Sequence, residues 1–323
     1  MLDNKKILVT GGSGFLGTNF IKKLLSKGIQ VRTHTHNRPL SVYGDIEIYN
    51  SIDLNNYEDC LKLVDGIDYV IHVAGPIGHP TTIKTDMELA RCHLNIFSNL
   101  LQASNECNVE KFLDINSSTG YPDRRYAVKE DEYWEDEPYK DYYGYGWSRR
   151  YREKLMEHCS RFSNIDMIIC RGTAMFGPHD NFDLKTCHVI PALINRLFQG
   201  ENPFVVWGSP DVVRDFLYIE DVIDGALLAL ESGEPMRPYN LGYGDTVTIG
   251  DIVENIINIT DIRPEVVWDN SKPTTIPYRK VDTERIKTEL GFSPKYTFYE
   301  GLEKTIEWYK LFSRRIPRRN QKP

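Results

Sequence analysis

The segment ILVTGGSGFLG, residues 7–17, closes a β-branched run and opens a helical pattern, with Gly11, Gly14 and Gly17 three positions apart. No other feature narrows the fold so much. A strand that turns at once into a helix needs residues that accept left-handed backbone and close approach, and glycine supplies both. The same turn aims backbone N–H groups from the positive end of the helix, where a pyrophosphate is stabilised. Behind it Phe15, Leu16, Phe20, Leu24 and Leu25 recur around one helical face, and the pattern stops at Gly28.

The alternation continues. QVRTHTH, IEIYN, YVIHVA, KFLDIN and DMIICR read as further strands between helical stretches. Strands and helices in alternation imply a parallel sheet with right-handed crossovers, hence an α/β, doubly wound Rossmann fold. We expect a dinucleotide-binding domain over residues 1–175, rejoined by 213–238 through the helix IEDVIDGALLALESG. A smaller C-terminal α/β domain for the substrate is expected from 176–212 and 239–315, with a frayed tail at 316–323. The aromatic-rich connection between residues 121 and 151 is long enough to act as a binding loop or lid.

Of the 323 residues, 41% are hydrophobic and 26% charged, ordinary values for a globular chain. The net charge of -7 argues against nucleic acid or an anionic membrane as partner, so a phosphate-bearing ligand must be met by local donors. No apolar run reaches membrane-spanning length and the N-terminus lacks a secretory core, which makes the cytoplasm the expected compartment. Six scattered cysteines without a CxxC pair suggest buried free thiols and no metal site.

The end of the second strand bears on which dinucleotide binds. An acid there would hold the adenosine ribose and repel a 2′-phosphate. VRTHTHNR instead offers Arg32, His34, His36 and Arg38, which favours NADP, with NAD as the alternative. Asp53 and Leu54, in IDL, are placed for the adenine edge, and Ala74 and Gly75, in HVAG, close the fourth strand beside the cofactor.

The fifth strand ends in DINSSTGYP, and strand ends in such a sheet face the ligand crevice. A serine there can orient a substrate hydroxyl or carbonyl. Farther on, YYGYGWSRRYREKL puts Arg149 four residues after Tyr145, on one helical face. A cation so placed favours the charged form of a phenol, which then exchanges protons more readily.

TGGSGFLG, SSTGYP, YGWSR, RDFLYIEDV and YNLG occur in the order found in the extended short-chain dehydrogenases/reductases that modify nucleotide sugars, and the sequence resembles that family over nearly its whole length. GPHDNF, CHVIPAL, VVWGS, RDFLY and SKPTTIPYRKVD are most similar to its GDP-sugar epimerase/reductase branch. The resemblance implies Ser117 and Tyr145 as catalytic residues, with Arg149 where the family carries lysine. It implies His188 as an acid/base residue and Thr119 where the epimerising enzymes carry cysteine, which speaks against full 3,5-epimerisation. Ser118 and Thr119 stand where the sugar dehydratases carry an Asp-Glu pair, so dehydration is not expected. Asn95 gains a cofactor role only through the resemblance. On the substrate side it implies Ser118 and Thr119 near the sugar, Arg196 and Arg214 as pyrophosphate clamps, and Trp207 and Lys280 as nucleotide contacts. It further implies a homodimer through MELARCHLNIFSNLLQASN and GWSRRYREKLMEHCS. Three outcomes stay open: an NADP-dependent enzyme moving a hydride at C4 of a nucleotide-linked, GDP-type sugar; an NAD-dependent 4-epimerase; and a binding protein without turnover.

Overall fold

The structure is a computed structural model that describes residues 2, 4–76, 87–272 and 275–313; the expected tail at 316–323 lies outside them. Seven strands form the main sheet. Five of them, β1 (Lys6–Val9), β2 (Gln30–His34), β3 (Ile46–Tyr49), β4 (Tyr69–His72) and β5 (Lys111–Ser117), come in succession from the N-terminal part of the chain. Asp166–Gly172 and Pro238–Leu241 extend the sheet beyond β5, and every neighbouring pair is parallel. From β1 the chain winds outward to β2 and β3, then returns to β4 on the other side. The switch between β1 and β4 opens a crevice at their carboxyl ends.

Nine helices flank these strands among the described residues: α1 (Phe15–Ser26), α2 (Tyr57–Val64), α3 (Met87–Glu106), α4 (Tyr143–Ser160), α5 (Val189–Phe198), α6 (Ile219–Ser232), α7 (Ile249–Thr260), α8 (Glu284–Leu290) and α9 (Phe298–Ser313). Successive strand residues point to opposite faces, which divides the core in two. Ile7 and Val9 of β1 join Phe20, Ile21 and Leu24 of α1 and the apolar side of α6 on one face. Leu8 joins Leu63 of α2, Phe97 and Leu100 of α3 and Met156 of α4 on the other. Burial on both faces explains why these strands read as continuous apolar runs.

The helix expected to return does so: Lys111 Nζ, on β5, donates to the Leu230 carbonyl of α6 at 3.0 Å. The expected boundary after residue 238 falls inside the seventh strand, where Tyr239, Asn240 and Leu241 pair with Cys170, Arg171 and Gly172. That strand is only four residues long and carries no periodicity of its own. The remaining strands form a four-stranded sheet of Val247–Thr248, Val213–Arg214, Tyr278–Val281 and Ala127–Val128, and two parallel pairs. All six cysteines are free; Cys60, Cys159, Cys170 and Cys187 are buried, whereas Cys92, on α3, and Cys107, just after it, are only half-buried. Among the described residues, no helix is long and apolar enough to cross a membrane.

Candidate functional site

At the end of β1, Gly11 takes φ +68°, and a Cβ there would stand 3.0 Å from the Ala74 Cα. A Cβ on Gly17 would lie 2.1 Å from the Gly11 carbonyl, so the first turn of α1 rests directly on the glycine turn. Thr10 locks this arrangement: its Oγ1 accepts the Val73 and Ala74 N–H groups, each at 3.1 Å, and meets His72 Nδ1 at 3.1 Å. Two strand ends are thereby clamped together under an open helix N-terminus. Above them lies a cleft of about 1790 Å³, lined by Gly11, Gly14, Phe15, Asp53, Ala74 and Gly75 among others. These residues fit a dinucleotide: the turn has the clearance for a pyrophosphate, and the helix end carries the field for one.

Other expected contacts lie elsewhere. Leu54 lines the cleft, but Leu16 packs against the core and Gly17 is buried beneath the turn. Asn95 is not among the lining residues; α3 presents Cys92 and Ile96, which share a face one turn apart, while Asn95 is rotated off it. Asn99, which sequence reasoning missed, donates from Nδ2 to the Leu54 and Asn55 carbonyls at 3.1 and 2.9 Å and so holds the adenine-side loop.

Arg32 and His34 are the main correction on the cofactor side. Arg32 is buried, bridged to Glu47 at 2.7 Å and bonded to the Leu63 and Asp65 carbonyls, so its guanidinium is spent inside the sheet edge. His34 lines the cleft, but its Nε2 accepts the Gly11 N–H at 3.1 Å, and burial depresses its pKa to about 4. A neutral acceptor braces the turn and offers a 2′-phosphate no charge. The exposed basic residues are His36 and Arg38, two and four residues on. His36 and Arg38 line the cleft and also a 350 Å³ recess shared with Thr35 and Asn50. Ser13 Oγ donates to the Arg38 carbonyl at 2.8 Å and ties that loop to the glycine turn.

The catalytic candidates converge at the end of β5. Asn116 Nδ2 donates to the Arg149 carbonyl at 3.1 Å and to Glu153 Oε1 at 2.8 Å, which fixes α4 against the strand end. Ser117 follows, its Oγ accepting the Thr119 N–H at 3.2 Å and the Thr119 hydroxyl at 3.0 Å; Ser118 is buried. On α4 the Arg149 guanidinium donates to the Tyr145 hydroxyl, and its carbon lies 4.6 Å from the Tyr145 ring centroid. The helical spacing thus does bring cation and phenol together.

His93, on α3, completes the cluster and had no sequence signal. Its ring meets Tyr145 edge-on at 5.3 Å, its Nε2 lies 2.9 Å from the Pro76 carbonyl and 3.5 Å from Arg149 Nη2. A Cβ on Gly75 would collide with it at 2.4 Å. Burial, then the nearby arginines, hold its pKa down to about 2, so it is a neutral wedge between the β4 end and Arg149.

On the substrate side Arg214 stands beside Arg279, the two being register partners on neighbouring strands. Arg214 donates to Thr275 Oγ1 at 2.6 Å, and Arg279 to the Pro122 and Tyr121 carbonyls at 3.0 and 3.2 Å. Among the described residues neither forms an ion pair, although Asp123 lies near enough to act on Arg279 electrostatically. Burial lowers both pKa values, that of Arg279 to about 10, and Tyr142 at the start of α4 influences both. Two desolvated cations thus stand side by side within electrostatic reach of Tyr142, an arrangement that an anion would stabilise. Sequence reasoning named Arg214 and passed over Arg279, although it sits beside Lys280 in the same segment. Arg196, by contrast, is committed to Glu201 and the Val205 carbonyl, and so is not free to clamp a phosphate. Lys280 lies 3.8 Å from Asp245, Trp207 is exposed at the end of its strand, and His188 is exposed just before α5.

The connection between residues 121 and 151 is anchored to the body of the fold at several points. Tyr121 and Tyr133 are fully buried, and the Arg171 guanidinium stacks 3.7 Å from the Tyr133 ring centroid while gripping Glu153 at 2.9 and 2.7 Å. Val128 joins the four-stranded sheet beside Val281. The aromatics read as surface loop because their partner, Arg171, is distant in sequence.

A family model, the NAD dependent epimerase/dehydratase family, matches residues 7–242. The probable GDP-L-fucose synthase 1 of Oryza sativa subsp. japonica is 29% identical over 323 residues, covering 94% of this chain and 92% of that protein. A dTDP-4-dehydro-6-deoxy-D-allose reductase of Streptomyces sp is 26% identical, covering 96% and 98%. The crystal structure of a UDP-glucose 4-epimerase from Thermotoga maritima with UDP-glucose superposes with a TM-score of 0.86 at 23% identity, over 95% of this chain and 99% of that one. With a glycine turn and clamped strand ends beneath the cleft, and that family's model matching residues 7–242, this chain belongs to the NAD dependent epimerase/dehydratase family.

Proposed function

We propose that the protein is an NADP-dependent oxidoreductase acting at C4 of a nucleotide-linked sugar, most readily a GDP-linked 4-ketone. The observation that carries this reading is the contact of the Arg149 guanidinium with the Tyr145 hydroxyl, on the helix that Asn116, next to Ser117, anchors; it supplies a proton donor where lysine is absent. When bound, a reduced nicotinamide dinucleotide supplies the hydride and is itself oxidised. Ser117 holds the C4 oxygen, which takes its proton from Tyr145; Tyr145 regains one from water. Arg149 orients the phenol and meets the cofactor ribose. Arg214 and Arg279 bind the sugar pyrophosphate, a role suited to planar guanidinium groups, and Trp207 covers the base. His36 and Arg38, facing the recess, take the 2′-phosphate.

Thr119 lacks the acid/base capacity for epimerisation at C3 and C5, so the activity we infer is reduction. Relatives named for GDP-sugars support the nucleotide. We infer a cytoplasmic homodimer with α3 and α4 as its interface, consistent with the exposed Met87 and Tyr151 on those helices.

The test is to identify dinucleotide and sugar nucleotide that copurify, then to supply a GDP-linked 4-keto sugar with NADPH and follow the nicotinamide absorbance. Oxidation of NADPH with formation of the alcohol is expected. Retained stoichiometric NAD with interconversion of C4 epimers would replace this reading by a 4-epimerase, and ligand binding without turnover would make the protein a binding module.

A further inference from the structure

We propose that Thr119 is a positioning residue that commits Ser117 to donate a hydrogen bond, so that the site selects a carbonyl oxygen at C4 over a hydroxyl. The inference rests on the reading above, in which Ser117 and Tyr145 meet that oxygen.

A serine hydroxyl has one proton and two acceptor lone pairs. Thr119 addresses both lone pairs of Ser117, through its N–H at 3.2 Å and its hydroxyl at 3.0 Å. Ser117 is held so that it cannot swing away: its backbone is extended, with φ -134° and ψ 143°, and its own N–H donates to Asn116 Oδ1 at 2.9 Å. Asn116 is in turn anchored to α4. The capacity left on Ser117 is its proton.

Tyr145 is biased the same way: its oxygen accepts from Arg149, and its phenolic proton remains to be offered outward. Two hydroxyls that accept from the protein present two donors. A ketone or alkoxide oxygen satisfies both, whereas a sugar hydroxyl must displace a bond to donate its own proton. A cysteine at 119 would keep the backbone donor and weaken the second one, because a thiol is a poor donor. Threonine here therefore replaces an acid/base group by a fixed donor and favours reduction over proton removal at carbon.

The experiment compares wild type with Thr119→Val, Thr119→Ala and Thr119→Ser, using NADPH and a GDP-linked 4-keto sugar, with the corresponding GDP-linked alcohol as competitor. Valine keeps the shape and the backbone N–H but loses the hydroxyl; alanine adds no bulk and guards against a folding defect of the valine variant. Both are expected to lower kcat about tenfold. KM for NADPH should stay unchanged, and the preference for ketone over alcohol should narrow by a similar factor. Thr119→Ser should stay within about twofold of wild type, since it keeps the donor. A purely structural role would depress thermal stability and disturb cofactor KM without moving the ketone preference. Wild-type kcat and preference in both the valine and alanine variants, or a serine variant as impaired as they are, would overturn the proposal while leaving the reductase reading intact. A wild type that turns over no 4-keto sugar would overturn both.

Discussion

Replacing Arg149 by methionine tests whether a guanidinium can stand in for lysine. Methionine is unbranched and fills much the same path along α4, and among the described residues the side-chain polar contacts of Arg149 are Tyr145 and His93, with no carboxylate to be stranded. Two interactions are lost. The charged hydrogen bond to the Tyr145 oxygen is worth about 1.5–3 kcal/mol. The contact with the ring face, at 4.6 Å, adds about 0.5–2 kcal/mol. Only the first acts on the oxygen that exchanges a proton, so it alone enters kcat, predicting a fall of about 10- to 150-fold. The second bears on stability, and relief from burying a cation offsets it, so the melting temperature should change little. Arg149→Lys should fall between the two, because the charge is kept and the planar fork is not. Initial rates of NADPH oxidation, with cofactor binding by fluorescence and thermal melting as controls, measure all three. A folded methionine variant that binds NADPH and turns over at the wild-type rate would refute the assignment of Arg149.

On the cofactor side, His36→Ala with Arg38→Ala should reduce the ratio of NADP to NAD efficiency about tenfold or more; Arg32→Leu should leave that ratio alone and lower stability by about 1–3 kcal/mol in urea unfolding, since it removes the carbonyl contacts seen at Leu63 and Asp65. Burial, in part offset by the Asn181 N–H, raises the Asp180 pKa to about 7, above its ordinary value of 3.8. The native state therefore binds the extra proton between those values, and stability falls as pH rises from about 4 to about 7. Asp180→Asn should abolish that slope, melting higher than wild type at pH 8 and nearly equal below about pH 4, as differential scanning calorimetry would show. Glu153→Gln should cost about 3–5 kcal/mol by chemical denaturation, because Arg171 is left buried without its counter-charge.

Local pattern carried much of the fold. The six strands QVRTHTH, IEIYN, YVIHVA, KFLDIN, DMIICR and KKILVT all lie in the main sheet; burial on both faces writes apolar runs into the central ones, whereas the edge strand β3 is partly exposed. The seventh strand escaped notice because four residues against an existing edge need no periodicity. In the site, the i, i+4 pairing of Tyr145 and Arg149 was legible, because helical geometry alone sets it. Arg32 and His34 misled because alternation along β2 says that a side chain points to one face or the other, and not which partner waits there.

The amino-acid order by itself determined the glycine turn, the order of alternating elements and the spacing that joins a phenol to a cation, all of which are contacts within a few residues. Only the tertiary structure decided that His93 wedges against Arg149 across 56 residues, that Arg214 and Arg279 stand together, and that Arg32 and Arg196 are already paired. The physical reason is one of range: helix and turn geometry follows from neighbours in the chain, whereas a charge is free or satisfied according to groups that folding brings from far away.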